Sequence, residues 1–113
     1  MKSQLPQAVE VCHDLLKWMI PQLDKMPRSR RFTLGLHMEQ SLLAILENLV
    51  SASYNQNKKQ FLSIANQKIG LVQHLWRLCM ELKLISMKKY HFGTSLIIDL
   101  GKQTGGWLKS LKA

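Results

Sequence analysis

Strand signals are missing from this sequence. No stretch alternates apolar and polar residues with a period of two, and hairpin dipeptides such as Asn-Gly are absent. That excludes a sandwich or barrel. Aromatics are scarce at 7%, so Leu, Ile and Val carry the apolar load, which suits helix packing. Two cysteines, Cys12 and Cys79, are too few and too far apart for a disulfide framework, and no Cys-x-x-Cys is present. Both fall on apolar helix faces and read as buried thiols in a reducing cytosol. The longest aliphatic run near the middle, Leu42 to Leu46, falls far short of the roughly 20 residues that span a bilayer. Residues 1–6 lack the apolar core of a signal peptide, so a cytoplasmic location is expected.

Acidic residues are scarce as well. Seven Asp and Glu in 113 residues leave little room for paired-carboxylate catalysis. The metalloprotease pattern His-Glu-x-x-His does not occur. Glu10 and His13 give one Glu-x-x-His spacing of the di-iron type. No second copy exists, because Leu34, Leu71 and Lys88 stand three before His37, His74 and His91. The glycines near Gly105 follow a helical pattern, not a strand, so they make no phosphate loop. No Ser, Cys or His lies in a recognisable nucleophile context. No enzyme, cofactor or metal site is expected.

What is abundant is positive charge. Sixteen Lys and Arg give a formal net charge of +9, which points to a polyanionic partner, either nucleic acid or an anionic membrane surface. Hydrophobic content of 46% is enough for a real core in one domain spanning residues 1–113.

The apolar spacing predicts four helices. The central one runs from about residue 58 to 85, with Phe61, Ile64, Ala65, Leu71, Val72, Leu75, Trp76, Leu78, Cys79, Leu82 and Ile85 on a wide apolar arc. Lys59, Asn66, Gln73, Arg77, Glu81 and Lys88 fall in a narrow polar sector opposite. A first helix over about 6–25 carries Val9, Cys12, Leu15, Leu16, Met19 and Leu23. Pro21 inside it is expected to force a kink or a restart. A second, over about 32–52, has one stripe at Leu34, Met38, Leu42, Ile45 and Leu49. Leu36, Leu43, Leu46 and Val50 form another, and Ser29 is a candidate cap. A fourth, over about 87–111, is capped by Ser86. Its Gly105-Gly106 pair reads either as a helix end or as a close approach of another helix or subunit, and close approach is favoured at Gly101. Short links make this an all-α, up-down-up-down antiparallel four-helix bundle. The second and third helices carry more apolar surface than one bundle needs, so self-association is expected.

The basic residues form a constellation: Arg28, Arg30 and Arg31 at the first junction, then Lys59, Arg77 and Lys88, with Lys102, Lys109 and Lys112 beyond. Arginines at a helix start oppose the helix dipole, so local stability does not explain them, and their planar fork suits phosphate. The aromatics are mostly core-spaced, which argues against a base-stacking platform and for phosphate-backbone contact.

Three segments carry a family resemblance. They are Pro27-Arg28-Ser29-Arg30-Arg31-Phe32-Thr33-Leu34-Gly35, then Leu75-Trp76-Arg77-Leu78 with Glu81-Leu82-Lys83-Leu84-Ile85-Ser86, and Leu100-Gly101-Lys102-Gln103-Thr104-Gly105-Gly106-Trp107-Leu108-Lys109-Ser110. Over about residues 15–112 the chain resembles small bacterial four-helix bundles. These are the accessory variability determinant (Avd) proteins of diversity-generating retroelements and the proteins encoded in 23S rRNA intervening sequences. The resemblance implies a homopentameric barrel with a positive surface. Gly101, Gly105, Gly106 and Trp107 are the candidates for close helix packing or oligomer contacts. The resemblance implies no catalysis. It also implies binding of a reverse transcriptase and of RNA or DNA, in support of mutagenic copying of a template-repeat RNA. Of the two basic residues a turn apart on the family's third helix, Arg77 matches the second, and Gln73 stands at the first. The alternative implied is a structural or ribosome-associated bundle with no polymerase partner. No membrane partner is expected on either reading.

Overall fold

The computed structural model describes residues 6–111. Four long helices carry the fold: α1 (Gln7–Asp24), α2 (Leu36–Tyr54), α3 (Lys58–Glu81) and α4 (Met87–Ser110). A single turn, Arg28–Arg30, and a π-helical segment, Arg31–Gly35, lead directly into α2. There is no strand among the described residues. The bundle measures 45 × 26 × 23 Å. Each helix packs on its neighbours in sequence, and α1 closes the ring against α4. Neighbours run antiparallel. Met38, early in α2, meets Cys79, late in α3, with their sulfurs 3.9 Å apart. Trp18, late in α1, meets Phe92, early in α4, at 5.0 Å between ring centres.

The core follows the helical period. α3 buries Leu62, Ala65, Ile69, Val72, Trp76 and Cys79, a run of three- and four-residue steps that faces one way. Leu71, Leu78 and Leu82, expected on the same wide arc, are exposed. Of the two α2 stripes, the one through Met38, Leu42, Ile45 and Leu49 is buried, while Leu36 and Leu43 of the other are exposed. Apolar surface in excess of the core is therefore left on the outside of the bundle.

Helix ends depart from the sequence reading at four places. Helix α1 runs through Pro21 to Asp24 without restarting. Pro21 removes one i→i−4 bond, to Lys17 O, but only three residues follow it in the helix. Ser29 is not a cap: Pro27 precedes the first turn, and no side chain caps it. α2 ends at Tyr54, two residues beyond the expected end. α3 stops at Glu81 rather than near Ile85. There Lys83 takes φ 61°, the Lys83 amide donates to Met80 O, and the Leu84 amide donates to Cys79 O, both at 2.9 Å. That is a Schellman turn, usually closed by glycine. Lysine in the left-handed region costs about 1 kcal/mol. Lys83→Gly is accordingly expected to raise stability by about that amount, read as a higher urea midpoint at unchanged slope. Ser86 does cap α4, accepting the Lys89 amide at 3.2 Å.

Cys12 and Cys79 are both fully buried. Desolvation pushes the Cys12 thiol up from 9.0 to about 12 and the Cys79 thiol up to about 11. The unfolded thiols release their protons near pH 9.0, whereas the folded ones hold theirs. Their contribution to stability is therefore complete below pH 9 and falls as pH rises toward 11–12. Urea midpoints should decline over that window, and less so in Cys12→Ala. Neither thiol should react with a disulfide reagent at pH 8 until the protein is unfolded.

Candidate nucleic-acid interface

Up-down connectivity sorts the basic residues by bundle end. The α1–α2 junction and the α3–α4 turn lie at the same end, so the fold gathers Lys25, Arg28, Arg30, Arg31, Arg77, Lys83, Lys88 and Lys89 there. Lys59 is not with them. It sits in the first turn of α3, 18 residues before Arg77, or about 27 Å along the helix. There it lines a cleft with Asn66, Gly105, Leu108 and Lys109. Lys88 belongs to the first turn of α4, so it does not continue the polar strip of α3 as its spacing implied. The chain turns at Lys83 and reverses before reaching it. Lys102 lies in a different cleft, beside Pro6 and Trp107, and Lys112 is outside the described residues.

At the basic end the three junction arginines differ. Arg31 is paired with Asp24 at 3.0 Å, and both side chains are about half exposed. Arg77 is paired with Glu81 at 3.0 Å, one turn along α3. Among the described residues, no carboxylate lies within 4.0 Å of Arg28 or Arg30, so their charge is uncompensated locally. Phe32, 60% exposed, stands between two guanidiniums, with Arg28 Cζ 6.0 Å and Arg31 Cζ 5.6 Å from its ring centre. Both are within cation–π reach. The π-helical segment that holds Arg31 and Phe32 widens the helix by one residue per turn, a distortion frequent at functional sites. Sequence spacing missed Lys83, Lys89 and the placement of Phe32. Only the α3–α4 reversal brings the two lysines to the arginines.

Gln73 and Arg77 on α3 face Tyr90, Thr94 and Ile97 of α4 across a cleft of about 250 Å³. Gly101 is an ordinary contact, since a methyl group there would stand 3.7 Å from Ile69. Helix α4 continues through Gly105 and Gly106, where an added methyl would meet nothing within 4 Å. The close approach within the bundle is at Gly93, where a Cβ would lie 2.7 Å from the Trp76 ring. Trp107 is half-buried against the core and the start of α1.

No helix among the described residues is long and apolar enough to cross a membrane. Fold and surface together define a small helical bundle with cations gathered at one end, a class suited to holding polyanions. The chain belongs to the bAvd-like family, whose model matches residues 7–111. The resemblance read from the junction, the third helix and the glycine-rich ending is thereby borne out. No curated protein matches the sequence.

Proposed function

We propose that this chain is a non-catalytic accessory subunit of a diversity-generating retroelement. It binds the element's reverse transcriptase and its template-repeat RNA through the basic end, and it acts as a homopentamer in the cytoplasm. Membership of the bAvd-like family supports the accessory role. The observation that carries the binding is the convergence of Arg28, Arg30 and Arg77 with Lys83, Lys88 and Lys89 at one end of the bundle. Phosphate contact of this kind is weakly sequence-selective and steeply salt-dependent. Exposed Leu36 and Leu43 on α2, with Leu71 and Leu78 on α3, supply apolar faces for neighbouring subunits. The open Gly105-Gly106 surface allows a second helix to approach closely.

Co-purification tests the polymerase partnership. Tagged protein is expressed with the reverse transcriptase encoded nearest to its gene, and the two are expected to elute together at low salt. Arg77→Glu should abolish that co-elution without loss of helicity. Failure of the unmodified protein to co-elute would sink the polymerase role, and a ribosome-associated bundle with rRNA as ligand would replace it. Gel filtration with light scattering checks the pentamer, and a monomer at working concentration would overturn it.

A further inference from the structure

The fold assembles an aromatic cluster that no stretch of sequence contains. Trp18 of α1, Trp76 of α3 and Tyr90 and Phe92 of α4 meet near the basic end. The Trp18 and Trp76 rings meet edge to face at 6.0 Å, and Trp76 lies nearly parallel to Tyr90 at 6.4 Å. Phe92 leans on Trp18 at 5.0 Å yet remains 51% exposed. Beside it, between α1 and α4, opens a cleft of about 680 Å³, within the size range of small-molecule sites.

The lining of that cleft has a defined chemistry. It is lined by the aromatic rings of Trp18 and Phe92 and by Ser86, Lys88, Lys89 and His91. No carboxylate lines it. At its α1 wall stands Gln22. Its amide nitrogen donates to Trp18 O at 3.4 Å, a long bond. The amide oxygen, Oε1, is buried and has no hydrogen-bond partner among the described residues. A buried acceptor without a donor is costly, so a turn of the Gln22 side chain that brings Oε1 to the cleft and to a ligand's donor would be favoured.

We propose that this cleft binds a nucleotide. The base stacks on the exposed face of Phe92, which Trp18 holds in place. With the Gln22 side chain turned toward the cleft, a ring N–H or exocyclic amine of the base donates to its Oε1, and the phosphate lies at Lys88 and Lys89. An aromatic ring, a hydrogen-bond donor on its edge and an anion a few ångströms away are the three features of a nucleotide. No lining residue repels them. The occupant is an unpaired nucleotide of a bound strand, since a duplex offers no free base face. Only this choice of source rests on the nucleic-acid reading above; the chemistry of the cleft does not.

The test uses the full chain and three probes: a short single-stranded oligoadenylate, an RNA duplex of the same length, and AMP alone. Phe92→Leu keeps an apolar contact with Trp18 but removes the ring. Phe92→Trp restores a ring. Circular dichroism confirms that both variants are folded. By fluorescence anisotropy, Phe92→Leu is expected to weaken oligoadenylate binding about tenfold and leave duplex binding unchanged, with Phe92→Trp recovering the loss. If instead only AMP depends on Phe92, seen as loss of its shift of the Trp18 indole N–H signal, the cleft takes a free nucleotide and the proposal stands with that source. If Phe92→Leu alters neither probe, the cleft proposal is overturned. In that case, loss of RNA binding on reversing Arg28 and Arg30 would leave the earlier reading intact. If the unmodified protein binds neither strand, duplex nor AMP, both are overturned.

Discussion

Triple reversal of Arg28→Glu, Arg30→Glu and Arg31→Glu is expected to weaken RNA binding about a hundredfold at moderate salt and leave the helical content unchanged. A cation held near a polyanionic surface contributes roughly 1 kcal/mol, so three removed cations amount to about 3 kcal/mol, before any repulsion from the new carboxylates. The salt dependence should flatten as well, by about 2 in the logarithmic slope for a single strand. The three sites are not equivalent. Arg31 already shares its charge with Asp24 at 3.0 Å, whereas Arg28 and Arg30 have no carboxylate within 4.0 Å among the described residues. Single reversals at Arg28 or Arg30 should therefore cost more than one at Arg31. Reversing Lys59, Lys102 and Lys109 changes net charge by the same amount away from the basic end and is the control. Equal losses in the two triple variants would mean that total charge, not the gathered end, drives binding.

The largest expected stability effect is at Trp76. Trp76→Ala should destabilise the bundle by about 3–5 kcal/mol in urea unfolding, the usual cost of emptying an aromatic site in a core. The indole is 1% exposed, its Nε1–H donates to Tyr90 O at 3.0 Å, and it packs on Trp18 and Tyr90. Gly93 probes the same contact from the other helix. Alanine is a better helix former by about 1 kcal/mol. At position 93, however, its methyl would sit 2.7–2.8 Å from three atoms of the buried Trp76 ring. Overpacking of this kind costs about 1–3 kcal/mol, so Gly93→Ala should destabilise despite its helix propensity. Gly106→Ala, with nothing within 4 Å in the bundle, carries no such penalty. In the Trp76→Ala background the Gly93→Ala penalty should vanish, because the methyl then enters the vacated space. A penalty that persisted would show that the indole ring is not what excludes a side chain at position 93.

Helix number, order and period were legible in the sequence because they depend on neighbours three and four residues apart. Leu15, Leu42, Ile45, Leu49 and Val72 were placed on helix faces by spacing alone, and the bundle buries them. The Ser86 cap was legible for the same reason, since a hydroxyl and the amide three residues on form a local contact. The Lys83 turn was not, because lysine gives no glycine-like signal for a left-handed residue. Without that turn, spacing aligned Lys88 with the polar strip of α3, although it lies in α4.

The sequence by itself thus determined a basic, all-helical chain with surplus apolar faces and an arginine-rich junction. Each of these follows from composition or local period. Only the tertiary structure decided that Arg77, Lys83, Lys88 and Lys89 join the junction while Lys59 lies at the far end. It also decided that Trp18, Trp76, Tyr90 and Phe92 form one cluster and that Gly93, not Gly101, carries the tight contact. The physical reason is common to all three. Which residues meet across helices depends on where the chain reverses and how far each helix is rotated about its own axis. Packing of the whole core sets both.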